Sequence, residues 1–392
     1  MSILMKVQSM QQTHIAVVGA GIVGLAHALA YAKTGAKVTL FERTNPAVGA
    51  SIRNFGLVWP IGQPEGPMYE RALRCRSIWL DVIKGARLWH TASGSLHLAY
   101  HDDEWQVLQE YYSAAVTARE YLNLLAPDEA ATKSHAINQV GLKGALWSAT
   151  EINVDPRQVI RDLPAYLAET FDVTLRFGAT VTHVKAGRLS TPHEEWQADQ
   201  IIICSGNDFE TLYPHLFSAS GITRCKLQML RTVPQPDSWA LGPSLCAGLT
   251  LGHYSSFAHC PSLPALKERF QREMPFYVQE GIHVLLSQTA LGELTIGDHH
   301  EYGLSLDPFA RETVDQAILD YLYTFAQAPT WKIAERWIGI YPLIKGRTEL
   351  VLEPEPGVMI VNALGGAGMT LSFGLADDIV HGRITPEAAH AV

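Results

Sequence analysis

One glycine-punctuated turn, Gly19-Ala20-Gly21-Ile22-Val23-Gly24, constrains this chain more than any other stretch. A short apolar run, His14 to Val18, precedes it. Apolar residues then recur at helical spacing from Ile22 to Lys33, and the pattern closes before Gly35. Lys37 to Glu42 reads as a second strand with Val38 and Leu40 on one face. Strand, glycine turn, helix and strand make a right-handed βαβ unit.

Each glycine has a physical role. Gly19 permits the tight turn. Gly21 lacks a Cβ, so a pyrophosphate can approach the backbone. Gly24 lets helix and strand pack closely. The exposed N–H groups and the helix dipole then face the phosphates, with Ile22 and Val23 in the first turn. Glu42 ends the next strand and can accept hydrogen bonds from a ribose diol, while its charge repels a 2'-phosphate. The unit therefore predicts a dinucleotide other than NADP. The residues that follow separate FAD from NAD. Glu42 runs into Arg43 and then a glycine-bounded loop, Gly49-Ala50-Ser51-Ile52-Arg53-Asn54-Phe55-Gly56. Such a segment can wrap a second length of cofactor, which an NAD dehydrogenase does not need.

The chain is long enough, at 392 residues with 47% hydrophobic content, for two intertwined domains. A long helix is expected over Glu104 to Leu125, from apolar and aromatic residues at threes and fours. Strand-like pieces follow at Val173 to Phe177, Thr180 to Val184 and Gln200 to Cys204, and a β-rich stretch runs from Gln228 to Gly297. Asp315 to Phe325 reads as a helix. The end returns to strand Val358 to Ala363, a glycine turn, and helix Met369 to His381. The fold class is therefore α/β: a Rossmann-type FAD-binding domain with an inserted mixed β-sheet and helix domain facing the substrate. The expected boundaries are 13–85, 150–215 and 330–392 for the first, and 86–149 and 216–329 for the second. Residues 1–12 are expected to be a flexible tail.

The net charge of -9 argues against a nucleic-acid partner, which needs a cationic face. Five cysteines, at 75, 204, 225, 246 and 260, form no CxxC pair, so free thiols in a reducing cytoplasm are expected. No apolar run reads as a membrane span or signal peptide. His299-His300 beside Asp298 carries the residue types of a metal site, but adjacent histidines on a strand point to opposite faces, so no metal is expected there.

With these motifs in place, the chain resembles the D-amino-acid oxidase superfamily of flavoproteins, nearest its glycine oxidase and sarcosine oxidase branch. The segments that carry the resemblance are Gly19 to Gly24 with Glu42-Arg43, Gly49 to Gly56, Ile201 to Gly206, and Asn362 to Thr370. The resemblance implies non-covalent FAD, since no cysteine lies beyond 260 to take up the late attachment of sarcosine oxidases. It places Ala50, Ser51, Asn54, Phe55, Gly56, Ser205 and Gly206 along the cofactor, and Val181 at the adenine. Gly366, Gly368, Met369 and Thr370 fall at the pyrimidine end of the flavin, where free backbone donors and a helix dipole favour negative charge.

Two departures bear on chemistry. Sarcosine oxidases carry a Gly-Leu-Lys-Leu-Gly-Tyr-His run whose lysine promotes reaction with oxygen; here the run is Gly248-Leu249-Thr250-Leu251-Gly252-His253-Tyr254. Relatives acting on amino acids clamp the carboxylate with an arginine before a proline; here Tyr341 precedes Pro342 and cannot form a bidentate ion pair. The resemblance thus implies Thr250 and Tyr254 in the catalytic surroundings, and Arg53, His253, Gln288 and Tyr341 around the substrate. The implied reaction takes a hydride from a carbon bearing nitrogen, giving an imine that water hydrolyses, with oxygen or another acceptor reoxidising the flavin. The pattern Arg53 to Pro60 with Thr250-Leu251 and Gly297 to His299 is similar to a subgroup associated with phosphonate breakdown. That implies 2-aminoethylphosphonate or its N-methyl derivative, with Lys345 and Arg347 as further candidate cations. Two alternatives stand beside this: a glycine, sarcosine or D-amino-acid oxidase, and a non-catalytic flavoprotein subunit that relays electrons.

Overall fold

The computed structural model describes residues 12–388, so the expected tail falls, apart from Gln12, outside the described residues. The βαβ unit forms where the sequence places it. Strands His14–Val18 and Lys37–Glu42 run parallel with Val17 beside Leu40, joined by helix Ile22–Lys33. That helix buries Ile22, Leu25, Ala26 and Leu29, as a helix packed between a sheet and a second helix must.

These strands belong to a seven-stranded sheet. Its order is Glu387–Ala388, Leu350–Glu355, Val358–Asn362, Gln200–Ile203, His14–Val18, Lys37–Glu42, Thr174–Phe177. The pairs are parallel except for the hairpin Leu350–Glu355 with Val358–Asn362. One face packs under helices Ile22–Lys33, Pro67–Ala86, Pro156–Phe171 and Gly368–Val380; the other carries Phe41, Ile201, Ile203, Leu350 and Phe217 in a second apolar cluster. A sheet covered on both faces reads in sequence as continuous apolar runs, which is why Ile201-Ile202-Ile203 is legible as a strand. Segments from the start, middle and end of the chain build it.

A second sheet of nine strands carries the other large core. Strand Ile333–Leu343 lies in this sheet, antiparallel to Thr223–Thr232. Ten residue pairs join it to that strand, so this segment, expected with the last α/β piece, is hydrogen-bonded into the second sheet.

The helix expected over 104–125 stops at Ala114. The Glu65 carboxylate takes the backbone N–H groups of Val116, Thr117 and Ala118, which turns the chain. Leu122–Leu125 then pairs antiparallel with Gly144–Ser148 as a strand. Tertiary pairing overrides a helical period here.

Candidate active site

A cleft opens at the carboxyl edge of the parallel strands. Gly19 holds φ +101°, and a Cβ there would sit 2.3 Å from the Cys204 carbonyl. At Gly24 a Cβ would lie 1.8 Å from the Gly19 carbonyl, so turn and helix meet only through glycine. Ser51 Oγ accepts a hydrogen bond from Ile22 N at 2.9 Å, and a Cβ on Gly21 would approach that oxygen to 3.1 Å. The loop from Gly49 thus folds back over the phosphate-binding turn. Glu42 is buried, with Oε2 accepting from Ala20 N and Oε1 from the Thr44 backbone and hydroxyl.

The cleft runs from Val181 and Glu42 at one end to Tyr341, Gly365 and Gly368 at the other. Gly19, Gly21, Ile22, Val23, Arg43, Ala50, Ser51, Arg53, Ser205 and Gly206 line it. Asn54, Phe55 and Gly56 do not line it; they shape the loop. Asn54 Nδ2 donates to the Ala50 and Ser51 carbonyls, its Oδ1 accepts from Gly56 N, and Phe55 packs into the second core. At the far end, helices Ile22–Lys33 and Gly368–Val380 begin side by side, with a Cβ position on Gly368 only 3.6 Å from Ile22. Two helix N-termini aimed at one cleft favour negative charge. Gly366 sits against the Tyr341 ring. Met369 and Thr370 are buried: the Met369 carbonyl accepts from Trp79 Nε1 and the Thr370 hydroxyl accepts from Trp59 N.

Beyond the cleft end, Tyr341 neighbours Cys225, Asp298 and Tyr302. Burial pushes the Tyr341 phenol well above its ordinary range and the Cys225 thiol to about 12, so both keep their protons near neutrality. Burial likewise pushes the Asp298 carboxyl well above the carboxylate range. His253 stacks on His283 with ring centroids 3.8 Å apart, and His300 completes a cluster at 4.6 and 5.1 Å. His299 and His300 lie between strands Leu294–Gly297 and Glu301–Gly303 rather than on a strand, and they have different partners: His299 Nδ1 accepts from Gln228 N, and His300 Nδ1 meets the Gly281 carbonyl. Sequence reasoning missed His283, because residues 253, 283 and 300 come from separate segments with no common spacing.

Four residues expected at or near the site, Gln288, Thr250, Lys345 and Arg347, do not line this cleft. Gln288 is a structural amide: Oε1 accepts from Leu241 N and Nε2 donates to the Gly292 carbonyl, so it does not reach the cleft. Thr250 is fully buried beside Cys246 in a short helix, Leu249–His253, and its hydroxyl has no partner. Arg347 pairs with Glu387 on the surface, and Lys345 is exposed beside it. Tyr254 stands between Trp59 and His283. Arg53 lines the cleft, one N–H bonded to the Ile338 carbonyl and its own carbonyl accepting from Trp337 Nε1. The five cysteines are free and buried. Cys204 borders the nucleotide turn, away from Tyr341.

The glycine turn, the acid at the second strand's end, the overlying loop and the paired helix N-termini fit an extended FAD. The chain belongs to the family of FAD dependent oxidoreductases named DAO, whose model matches residues 14–381. Among solved structures it is similar to glycine oxidase from Geobacillus kaustophilus, with 20% identity over 95% of this chain and 96% of that one and a TM-score of 0.73. It is also similar to L-proline dehydrogenase from P. horikoshii, with 17% identity over 95% and 94% and a TM-score of 0.75. A curated relative, the tRNA 5-methylaminomethyl-2-thiouridine biosynthesis bifunctional protein MnmC of Chromohalobacter salexigens, is 35% identical over 96 residues, which is 23% of this chain and 14% of that protein. The chain therefore spans only a small part of that curated relative. None of the helices among the described residues is long and apolar enough to cross a membrane.

Proposed function

We propose that this chain oxidises a small amine with FAD held non-covalently in the cleft, and that the substrate carries an anionic group other than a simple α-carboxylate. FAD supplies the hydride acceptor for a C–H next to nitrogen. The cleft turn, which is the N-terminus of helix Ile22–Lys33, holds the nucleotide with Glu42, and the N-terminus of helix Gly368–Val380 favours negative charge farther along the cleft. The observation that carries the substrate reading is Tyr341. It stands at the flavin end of the cleft, and the cations lining that cleft are Arg43, paired with Asp208, and Arg53. A protonated phenol and a guanidinium together offer donors to several oxygens from different directions, which suits a tetrahedral oxyanion, while the Arg53 fork taken alone also suits a planar carboxylate. This supports 2-aminoethylphosphonate or its N-methyl derivative.

The fold likeness to a glycine oxidase supports a second reading, an α-amino acid, with Arg53 taking the carboxylate. Anaerobic bleaching of the flavin separates them. The panel is glycine, sarcosine, D-alanine, 2-aminoethylphosphonate and its N-methyl form, with air admitted afterwards. Bleaching by the phosphonates alone supports the first reading, and bleaching by glycine or sarcosine alone overturns it. No bleaching by any amine favours an electron-relay subunit. The rate of recolouring in air separates an oxidase from a dehydrogenase.

A further inference from the structure

We infer that His253, His283 and His300 form a binding site for a divalent transition-metal ion of the imidazole-preferring kind, zinc or cobalt. Each ring offers one nitrogen, and these atoms all lie within 4.8 Å of one another. The inference is independent of the reaction proposed above, since it concerns only what the three imidazoles can hold.

The backbone fixes two of the three. His283 N donates to the Asp298 carbonyl at 3.2 Å, and Asp298 N returns a bond to the His283 carbonyl at 2.9 Å. His300 N donates to the Glu280 carbonyl at 3.1 Å. The two segments are therefore laced together, and both imidazoles emerge from the same side of that lacing. His253 arrives from a different element, the end of helix Leu249–His253.

Ring positions match what a shared ion needs. With a metal–nitrogen bond of ~2.1 Å, each ring centroid lies about 3.2 Å from the ion, so centroids fall about 4.5 Å apart on an octahedral face and about 5.2 Å apart on a tetrahedral one. The His253–His300 and His283–His300 separations are 4.6 and 5.1 Å. The His253–His283 stack, at 3.8 Å, is too close and must open. His253 carries the surface exposure of the three, although its ring packs against Tyr254, His283 and His300, so it is the ring with the least to displace, while His283 and His300 are buried.

The outer nitrogens are placed as metal-bound imidazoles require. His300 Nδ1 meets the Gly281 carbonyl at 2.9 Å, which leaves Nε2 for the ion. His283 offers Nδ1, a buried nitrogen with no partner, and its Nε2 lies 3.3 Å from Asp298 Oδ1 without a hydrogen bond between them. A buried nitrogen without a partner costs free energy that a bound ion would recover. The exposed edge of His253 gives an entry path.

The test uses the tag-free holoprotein, dialysed against chelator and titrated with Co²⁺ and Zn²⁺. Calorimetry and elemental analysis read the stoichiometry, and Co²⁺ ligand-field bands, taken in difference against the flavin, read nitrogen ligation. One ion per chain is expected, weakened at least ~10-fold in His253→Ala and in His300→Gln. His193→Ala, an exposed histidine elsewhere, leaves it unchanged. Flavin content and the melting temperature show that each variant is folded; because His253 is exposed, its variant keeps the test open if His300→Gln fails to fold. Absence of stoichiometric uptake by the parent chain, or uptake unaltered in folded His253→Ala, overturns the site.

Discussion

Glu42 Oε2 accepts the backbone N–H of Ala20 at 2.9 Å, so the acid at the end of the second strand braces the glycine turn that follows the first. Its other oxygen holds both donors of Thr44. The residue that the sequence motif assigns to a ribose is therefore also structural.

Glu42→Ala is expected to fail in two ways at once. It leaves the Ala20 and Thr44 N–H groups without their acceptor, at a cost of about 1–3 kcal/mol per buried group. It also removes the ribose acceptor, so FAD affinity falls at least ~10-fold, in line with a charged hydrogen bond worth about 1.5–3 kcal/mol. Thermal melting of the apoprotein reads the first effect and flavin fluorescence titration the second. A variant that melts normally yet loses FAD would show that Glu42 serves the nucleotide alone.

The glycines divide into those with and without room. Gly24→Ala drives a methyl to within 1.8 Å of the Gly19 carbonyl, whereas a Cβ on Gly49 meets nothing within 4 Å, and its φ of -77° suits any residue. Gly24→Ala is expected to lower stability by more than about 1 kcal/mol and to strip the yellow colour. Gly49→Ala should keep both within error. Equal behaviour of the two would mean that the turn relaxes far more than its packing allows.

Two buried histidines make the fold acid-sensitive. Burial lowers His27 from 6.5 to about 4 and His97 from 6.5 to about 3. Both rings stay neutral in the folded chain while the unfolded chain takes up protons below its ordinary pKa. Stability is thus complete above pH 6.5 and falls with pH below it, by ~1.4 kcal/mol per pH unit for each group, until the folded pKa is reached. His97 lies against Trp59 and Phe257 with neither nitrogen partnered. His97→Gln should therefore flatten the slope of unfolding free energy between pH 6.5 and 4 by about one proton's worth. Denaturant melts at a series of pH values check this; an unchanged slope would mean that His97 is protonated in the fold.

How much of this was legible in sequence follows from where the interactions lie. The turn at Gly19 to Gly24 and the final helix act through neighbours a few residues away or through one regular period, and Glu42 stands at the spacing that one βαβ unit sets, so residue order carries them. Helix 102–114 ends because Glu65, far back in the chain, caps the turn at Val116 to Ala118; no local pattern announces that. Gln288 was misplaced for the same reason, since its partners Leu241 and Gly292 become evident only once the second sheet forms. The cluster of His253, His283 and His300 with Asp298 is assembled wholly by tertiary pairing, and isolated histidines carry no spacing signal.

Thr250 separates a catalytic reading from a packing one. It is fully buried next to Cys246, and its hydroxyl lacks a partner. Thr250→Val keeps the shape and removes the unpaired hydroxyl, so the melting temperature is expected to hold or rise. If the hydroxyl takes no part near the flavin, turnover and the rate of flavin reoxidation stay within about twofold, a change worth less than ~0.5 kcal/mol in barrier. Thr250→Lys instead places an ammonium in an apolar cluster and is expected to destabilise the chain rather than to speed reaction with oxygen. A folded Thr250→Lys protein that recolours faster in air would place this position at the flavin after all, and would make the threonine a cause of slow oxygen chemistry.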